Sequence, residues 1–288
     1  MKLSRLLRSE DARQTLDLTL RLTQRSVSSE FKGTALGRLW SFINPLATIA
    51  IFALIFGVVF RGGVEPGRNS GIDSFALWIG IGVLSWTFFS SGIMSSMNAL
   101  VDNAGLLTKV YFPRQVLIYS AVLSLAVDFA FELLVLVIIA MLMGGPGVLL
   151  MIPALLVVTV LVGMFAVGLG LMLSIATVYF RDLGHLWQIF NQMWMYASGV
   201  VFPLTMVNKV QNDLFDKGWQ VNGGPIPLTT ILRLNPAETY LEAFRSCLYD
   251  FALPSLPVFL ACLAWAIVML TLGLVFFRRH SASIVEEL

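Results

Sequence analysis

The sequence predicts an all-α protein that crosses a lipid bilayer several times, and two observations lead to that fold class. Of the 288 residues, 57% are hydrophobic and only 12% are charged, about half the charged share of soluble domains. Four long stretches also contain no Asp, Glu, Lys or Arg: 39–60, 74–101, 183–208 and 251–277. A bilayer core about 30 Å thick needs roughly 20 apolar helical residues, so each stretch is long enough for one span.

The longest apolar segment, 115–180, is too long for one helix and contains only two charged residues, Asp128 and Glu132. Glycine and proline at 144–147 predict a turn that divides it. Six transmembrane helices result, at 40–60, 74–97, 115–143, 148–179, 184–204 and 257–277. The chain accordingly divides into a cytoplasmic amphipathic region at 1–39, a transmembrane domain at 40–277 and a cytoplasmic tail at 278–288.

The distribution of basic residues predicts the orientation. An even number of spans places both termini on one side, and the segments of that side hold 13 of the 19 Lys and Arg residues. Eight of these precede the first span, which usually dominates the orientation. Because cytoplasmic segments carry the excess of Lys and Arg, both termini are predicted to be cytoplasmic.

Two regions outside the spans also predict helices. Leucines alternate with polar residues at 16–22, which is a strand pattern, but a lone strand would leave its backbone without a partner. The surrounding basic residues favour an amphipathic helix at the membrane surface instead. The outer region 205–256 is long enough for two short helices before the last span. Within it, residues 237–249 show an amphipathic pattern that suits a re-entrant helix.

The sequence contains no motif for catalysis or nucleotide binding. Neither a phosphate-binding loop of the form G-x-x-x-x-G-K-[ST] nor a nucleophile motif of the form G-x-S-x-G occurs. The two histidines, His185 and His280, lie near the ends of different spans, and the two cysteines are distant, so we expect no metal site. These observations favour a transporter subunit over an enzyme.

Polar residues inside the predicted spans are candidates for a transport pathway. Asp128 and Glu132 share one face of the third span, either as a proton or cation site or as a pair bonded within the helix bundle. In the fifth span, a polar stripe that extends to Ser198 either lines a conduit or bonds neighbouring helices. With the adjacent aromatic residues, the channel candidates in this span are Trp187, Gln188, Asn191, Gln192 and Trp194.

Three segments carry a recognisable combination of short motifs. Residues 25–45 hold a basic stretch followed by Leu-Gly, Leu-Trp and Asn-Pro pairs, and residues 102–114 read DNAGLLTKVYFPR. The third segment is Tyr-Phe-Arg-Asp at 179–182, followed by Leu-Asn-Pro at 234–236 and by Arg245. In this order and spacing, over nearly the whole chain, the motifs resemble those of permease subunits of ABC transporters that export polysaccharides.

The resemblance implies a homodimer with a passage between its two copies and two separate ATP-binding cassette subunits docked on the cytoplasmic side. ATP and Mg²⁺ would bind in those partner subunits, so no cofactor is expected in this chain. The implied cargo is a glycan on an undecaprenyl-diphosphate-type lipid, such as O-antigen, teichoic acid or capsule. The resemblance also implies the bacterial cytoplasmic (inner) membrane as the location, with membrane lipids but no nucleic acid among the partners.

The resemblance also assigns roles to residues. Residues 101–112 are expected to transmit the closure of the ATPase subunits, with contacts from Asp102, Lys109, Tyr111 and Phe112. Basic residues of the N-terminal region are expected to bind either the lipid diphosphate or anionic headgroups. These residues are Arg21, Arg25, Lys32 and Arg38. The segments 207–219 and 237–250 are expected to form an outer gate.

Other functions stay open on the sequence alone. A proton-driven secondary transporter would use Asp128 and Glu132, although six spans are few for such folds and no matching broken helices occur. An ABC exporter of a drug or small lipid would share the predicted architecture. A lipid-modifying enzyme is disfavoured, because His, Asp and Glu do not cluster at either predicted membrane face.

Overall fold

The computed structural model describes residues 2–29, 32–55, 64–107, 109, 112–221 and 224–281, and for residues 2–12 and 221 it describes the backbone alone. Within these ranges the chain is predominantly helical, which confirms the all-α fold class. Eleven α-helices follow in chain order: α1 (Lys2–Ser29), α2 (Trp40–Phe52), α3 (Phe75–Asp102), α4 (Ala104–Leu107), α5 (Gln115–Gly144), α6 (Ile152–Tyr179), α7 (Leu183–Tyr196), α8 (Leu204–Asp216), α9 (Leu228–Arg233), α10 (Pro236–Leu248) and α11 (Leu256–His280). Strands β1 (Gln220–Val221) and β2 (Gly224–Pro225) form a small antiparallel hairpin between α8 and α9.

Five helical segments in the described ranges are long and apolar enough to cross a membrane: Gly37–Ile55, Phe75–Asp102, Gln115–Gly144, Pro146–Tyr179 and Leu256–His280. They lie close to five of the six predicted spans. The predicted fifth span, 184–204, differs, because α7 ends at Tyr196 after 14 residues. At 1.5 Å per residue α7 is about 21 Å long, shorter than a bilayer core of about 30 Å. The count of six spans therefore stays a prediction.

Local sequence explains several helix ends. The Ser74 hydroxyl accepts a hydrogen bond from the Leu77 amide at 3.3 Å and caps α3. The predicted break at 144–147 is confirmed, because Gly145 takes φ +91° and Pro146 begins a short 3-10 helix that leads into α6. At the other end of the chain, α11 finishes in three basic residues, which are favourable next to the exposed carbonyls of a helix C-terminus.

Helix α3 lies at the centre of the bundle, where it packs against α2, α5, α6 and α10. The Phe88 ring stacks on Phe129 of α5 with centroids 4.4 Å apart, and Phe89 stacks on Phe165 of α6 at 5.2 Å. Tyr240 of α10 meets Phe165 edge to face at 5.9 Å. Helix α10 lies in the outer region by sequence, yet it folds back among the long helices and belongs to their core.

Two glycines allow α6 and α11 to cross in close contact. A Cβ atom on Gly273 would overlap the carbonyl of Gly168, and a Cβ atom on Gly168 would overlap the backbone of Met269. Small residues at such crossings let backbones approach, which matters in lipid because packing drives helix association there. This contact joins the last span to the bundle.

The N-terminal segment is a helix, as predicted, and α1 runs alongside α5. Its Leu22 side chain packs against a second apolar cluster, which forms where α3, α6 and α11 end and α5 begins. Thr19 and Thr23 are also buried, whereas Leu16 and Leu20 are exposed. The end of the bundle that carries this cluster is the one predicted to face the cytoplasm.

Candidate functional site

A buried arginine joins α10 to the turn that follows α7. The Arg245 guanidinium donates from Nη1 to the Gly199 carbonyl at 3.0 Å and from Nη2 to the Val200 carbonyl at 2.8 Å. It also lies over the ring of Trp78 in α3, 3.5 Å from the ring centroid, which is a favourable cation–π geometry. Two hydrogen bonds and an aromatic face therefore hold this largely buried cation in place.

Asn235 binds the same turn from the start of α10. Its Oδ1 accepts hydrogen bonds from the Ala237 amide at 3.1 Å and from Trp194 Nε1 at 2.8 Å. Its Nδ2 donates to the Ala197 carbonyl and to Ser198 Oγ, both at 2.9 Å. The Leu-Asn-Pro motif thus supplies a helix cap, a proline suited to the first helical position, and a link to α7.

Glu238 lies buried beside this turn, only 2% exposed, and its Oε2 has no hydrogen-bond partner among the described residues. Burial raises the pKa of its carboxyl to about 8, and the nearby Arg245 guanidinium offsets part of that rise. Burial also lowers the pKa of Arg245 to about 10, so the guanidinium keeps its charge at neutral pH. We call Asn235, Glu238, Arg245 and the turn 197–200 the α7–α10 clamp.

Gly199 allows the turn after α7 to pack against Glu238. Its φ of +60° is a left-handed conformation that side chains disfavour. A Cβ atom at this position would lie 2.5 Å from Oε2 of Glu238. The glycine therefore provides both the turn geometry and the space for the carboxylate.

The structure buries three of the five channel candidates on α7 fully or partly. The rings of Trp187 and Trp194 lie nearly perpendicular, with centroids 6.3 Å apart, and Trp194 also packs on Trp86 of α3. Asn191 Nδ2 donates to Ser90 Oγ of α3 at 2.6 Å. These side chains attach α7 to the central helix.

The other two channel candidates, Gln188 and Gln192, are exposed on α7. They lie one helical turn apart, among exposed apolar side chains that include Ile189 and Met193. Ser198 does not continue their stripe, because α7 ends at Tyr196 and Ser198 is buried in the clamp. The face of α7 available to a passage is therefore narrower than the sequence pattern predicts.

The candidates for coupling to an ATPase lie around α4. Asp102 is the last residue of α3, and it is exposed, as is Lys109. Phe112 is half-buried against the second apolar cluster. Tyr111 lies outside the described residues. Two charged side chains and a short helix thus stand at the end of the bundle predicted to be cytoplasmic.

The four basic candidates near the N-terminus are all exposed, but Arg21 differs from the others. Its Nε donates to Asp17 Oδ2 at 2.8 Å, one turn earlier on α1. Arg25 lies one turn further along α1, and Lys32 and Arg38 follow between α1 and α2. A phosphate that binds Arg21 would have to compete with the Asp17 carboxylate.

The intramembrane acids Asp128 and Glu132 are both half-buried on α5, one turn apart, as their spacing predicts. Phe129 between them points into the aromatic core. The two carboxyl groups therefore lie at the edge of the bundle core.

Comparison with known proteins adds a family and several relatives. Residues 17–212 match the family described as ABC-2 type transporter. The chain is similar to the O-antigen export system permease protein RfbA of Myxococcus xanthus, with 27% identity over 273 residues that cover 94% of this chain and 95% of the relative. It is also similar to a permease of the same name from Klebsiella pneumoniae, with 25% identity over 191 residues, 66% of this chain and 71% of that protein.

Proposed function

Because the chain belongs to the ABC-2 type transporter family, we infer that it is the transmembrane subunit of an ATP-driven polysaccharide exporter. The observation that carries this function is the family match over 17–212 together with an alignment that runs nearly end to end with an O-antigen export permease. The chain is a permease subunit and not an enzyme, and ATP is hydrolysed by a separate subunit. ATP takes the place of the proton gradient that a secondary transporter would use.

We propose that the exported polymer is a lipid-linked glycan, O-antigen or a related surface polysaccharide, carried on a diphosphate lipid. The names of the relatives from Myxococcus xanthus and Klebsiella pneumoniae support O-antigen as the first candidate. We further propose a homodimer in the inner membrane, with both termini cytoplasmic. The exposed face of α7 around Gln188 and Gln192 supports a passage between two copies, because polar side chains there would otherwise face lipid.

Deletion of the gene in the source cells tests this function. We expect the lipid-linked glycan to accumulate inside the cell and the surface polymer to disappear, with both effects reversed by the intact chain. The tagged permease should co-purify with an ATP-binding subunit of its own. A deletion strain with normal surface polymer and no accumulated lipid-linked glycan would contradict the proposal.

The docking of the ATPase is proposed at α4 and its flanks. Asp102 and Lys109 are exposed charges at the end of the bundle that the basic residues assign to the cytoplasm. The double variant D102A/K109A should lose co-purification of the ATPase while the permease still inserts at its normal level. Lys209 and Asp213 on α8 are exposed residues of the same types, so K209A/D213A is the matched control.

The lipid diphosphate is proposed to bind the basic residues of the N-terminal region. Arginine can place two hydrogen bonds on phosphate oxygens, and Arg25 and Arg38 are exposed. Neutralising Arg21, Arg25, Lys32 and Arg38 together should abolish export at a normal protein level. The variant R278Q/R279Q removes basic charge from the end of α11 and serves as control. If export survives the quadruple substitution, these residues only anchor the N-terminal region to the membrane surface.

A further inference from the structure

A cavity of about 610 Å³ opens beside the α7–α10 clamp, at the end of the bundle where α3 and α11 begin. This end is opposite the second apolar cluster and is the outer one in the predicted orientation. The volume falls in the range of small-molecule binding sites. The proposed coupling, lipid-diphosphate and passage residues do not line this cavity.

The walls of the cavity are fixed by hydrogen bonds between distant parts of the chain. The loop after residue 64 is tied to the end of α10, because the Arg68 amide donates to Asp250 Oδ1 at 3.1 Å and Asn69 Nδ2 donates to the Phe251 carbonyl at 3.1 Å. The Tyr249 hydroxyl donates to the Glu65 carbonyl at 3.3 Å. A ligand would therefore meet a preformed site.

Two buried side chains in the wall of this cavity have unused hydrogen-bonding atoms. Glu238 is 2% exposed and Arg245 is 7% exposed, and both line the cavity. Glu238 Oε2 and Arg245 Nε have no partner among the described residues. Both atoms are closed to solvent, and Nη1 and Nη2 of Arg245 already donate to the Gly199 and Val200 carbonyls, so the guanidinium is already engaged by the turn. The Glu238 carboxyl group is therefore the member of this pair that a ligand hydroxyl would bond, through its other oxygen.

The remaining lining narrows the ligand class. Four carboxyl-bearing and three guanidinium side chains line the cavity, so neither an anion nor a cation is strongly favoured. Trp78 and Tyr249 add aromatic surface, and Pro257 and Val258 add an apolar wall. Hydroxyl groups beside aliphatic C–H faces occur together in sugars. The lining therefore fits a neutral, polyhydroxylated ligand better than a hydrocarbon or an ion.

We propose that this cavity is an outer binding site for one or a few sugar residues of the exported glycan, recognised through Glu238 and the aromatic side chains of the lining. The inference rests on the proposed function, since it takes the exported polymer as the ligand. Binding at this end of the bundle would hold the emerging polymer on the outer side between transport cycles.

The test uses the intact transporter in nanodiscs, and the probe is a carrier-free fragment of two to four sugars, released from the surface polymer of the source cells. Wild-type protein should bind the fragment, as measured by saturation-transfer NMR and calorimetry. E238A should bind it roughly tenfold more weakly, because the hydrogen bond to the buried carboxyl group is lost. D213N changes an exposed carboxylate outside the cavity and should bind like the wild type.

A second measurement leaves Glu238 and Arg245 intact. Leu253 lies in the cavity lining and is 67% exposed, whereas the native cysteines Cys247 and Cys262 are fully buried. A polar maleimide should label L253C, and the sugar fragment should slow that labelling several-fold. Labelling of K209C, at an exposed position of α8 outside the cavity lining, should not respond to the fragment.

The outcomes separate the two proposals. If the wild type exports the polymer but does not bind its fragment, or if E238A binds as tightly as wild type with L253C unprotected, the sugar site is wrong while the export function stands. If the wild type exports no polymer, the proposed function itself fails. Fragment binding that is weakened by E238A and that protects L253C supports the site.

Discussion

Arg245 and Val200 are 45 residues apart in the sequence, yet Nη2 of the arginine donates to the valine carbonyl at 2.8 Å. The same guanidinium also binds the preceding carbonyl, that of Gly199. One side chain on α10 therefore satisfies two consecutive carbonyls just after α7, at a point where the chain turns toward α8. The geometry makes the clamp testable by single substitutions.

Removing the arginine should destabilise the permease. R245A leaves the two carbonyls without their hydrogen-bond donor and Glu238 without its nearby positive charge, at a cost of roughly 2–4 kcal/mol. R245K should recover only part of that loss, because an ammonium group lacks the planar fork. Thermal unfolding of the purified permease checks the order of stability. Arg233 is an exposed residue on α9, so R233A is the control, with an expected change within about 0.5 kcal/mol.

A methyl group at Gly199 should also weaken the clamp. G199A forces alanine to φ +60° and brings its Cβ against the Glu238 carboxylate, with an expected loss of about 1–3 kcal/mol. Gly184 on α7 has open space where its Cβ would lie, so G184A should be neutral or slightly stabilising. Equal melting temperatures for the two variants would show that the turn is not under this constraint.

The stability of the permease should depend on pH through Glu238. Its pKa rises from 4.5 to about 8 on folding, so the folded protein keeps a proton that the unfolded chain releases. This contribution is fully present below pH 4.5 and is lost as pH rises toward 8. Arg245, Glu242 and Arg233 are the charged groups that act on the carboxyl.

E238Q should remove this part of the pH dependence, because glutamine does not titrate. Melting temperatures of wild type and E238Q between pH 5 and 9 make the comparison, with E65Q as the control for an exposed carboxylate on the cavity wall. Parallel curves for wild type and E238Q would refute the assignment.

The crossing of α6 and α11 should tolerate no added side chain. G273A would press a methyl group onto the Gly168 carbonyl and separate the helices, for a loss of about 1–3 kcal/mol. At Gly163 on α6, a Cβ atom would meet Val122 at 3.6 Å, an ordinary contact, so G163A should have little effect. Detergent-induced unfolding followed by circular dichroism distinguishes the two variants.

Much of this architecture follows from local sequence. The lengths of the charge-free stretches locate five of the long helices, and Gly145-Pro146 divides α5 from α6 as predicted. The basic leucine-containing segment at the N-terminus forms a helix because no strand partner exists for it in the described fold. These features depend on neighbouring residues, which is why pattern and propensity suffice.

The sequence pattern does not predict where α7 ends, because that end depends on distant residues. The stretch 183–208 has no charge to mark a boundary, yet the helix stops at Tyr196 because Asn235 and Arg245 bind the backbone that follows. The burial of Glu238 is also missed, because its position within an amphipathic pattern suggests exposure to solvent. Its burial follows from the folding of α10 into the bundle. Gly199 and Pro203 are the local signs of a turn after α7.

The clamp also has a mechanical consequence. Because Asn235 and Arg245 bind one turn at two points, we expect the C-terminal end of α7 and the whole of α10 to move together as one rigid unit. A tilt of α7 would therefore also displace the residues of α10 that line the cavity.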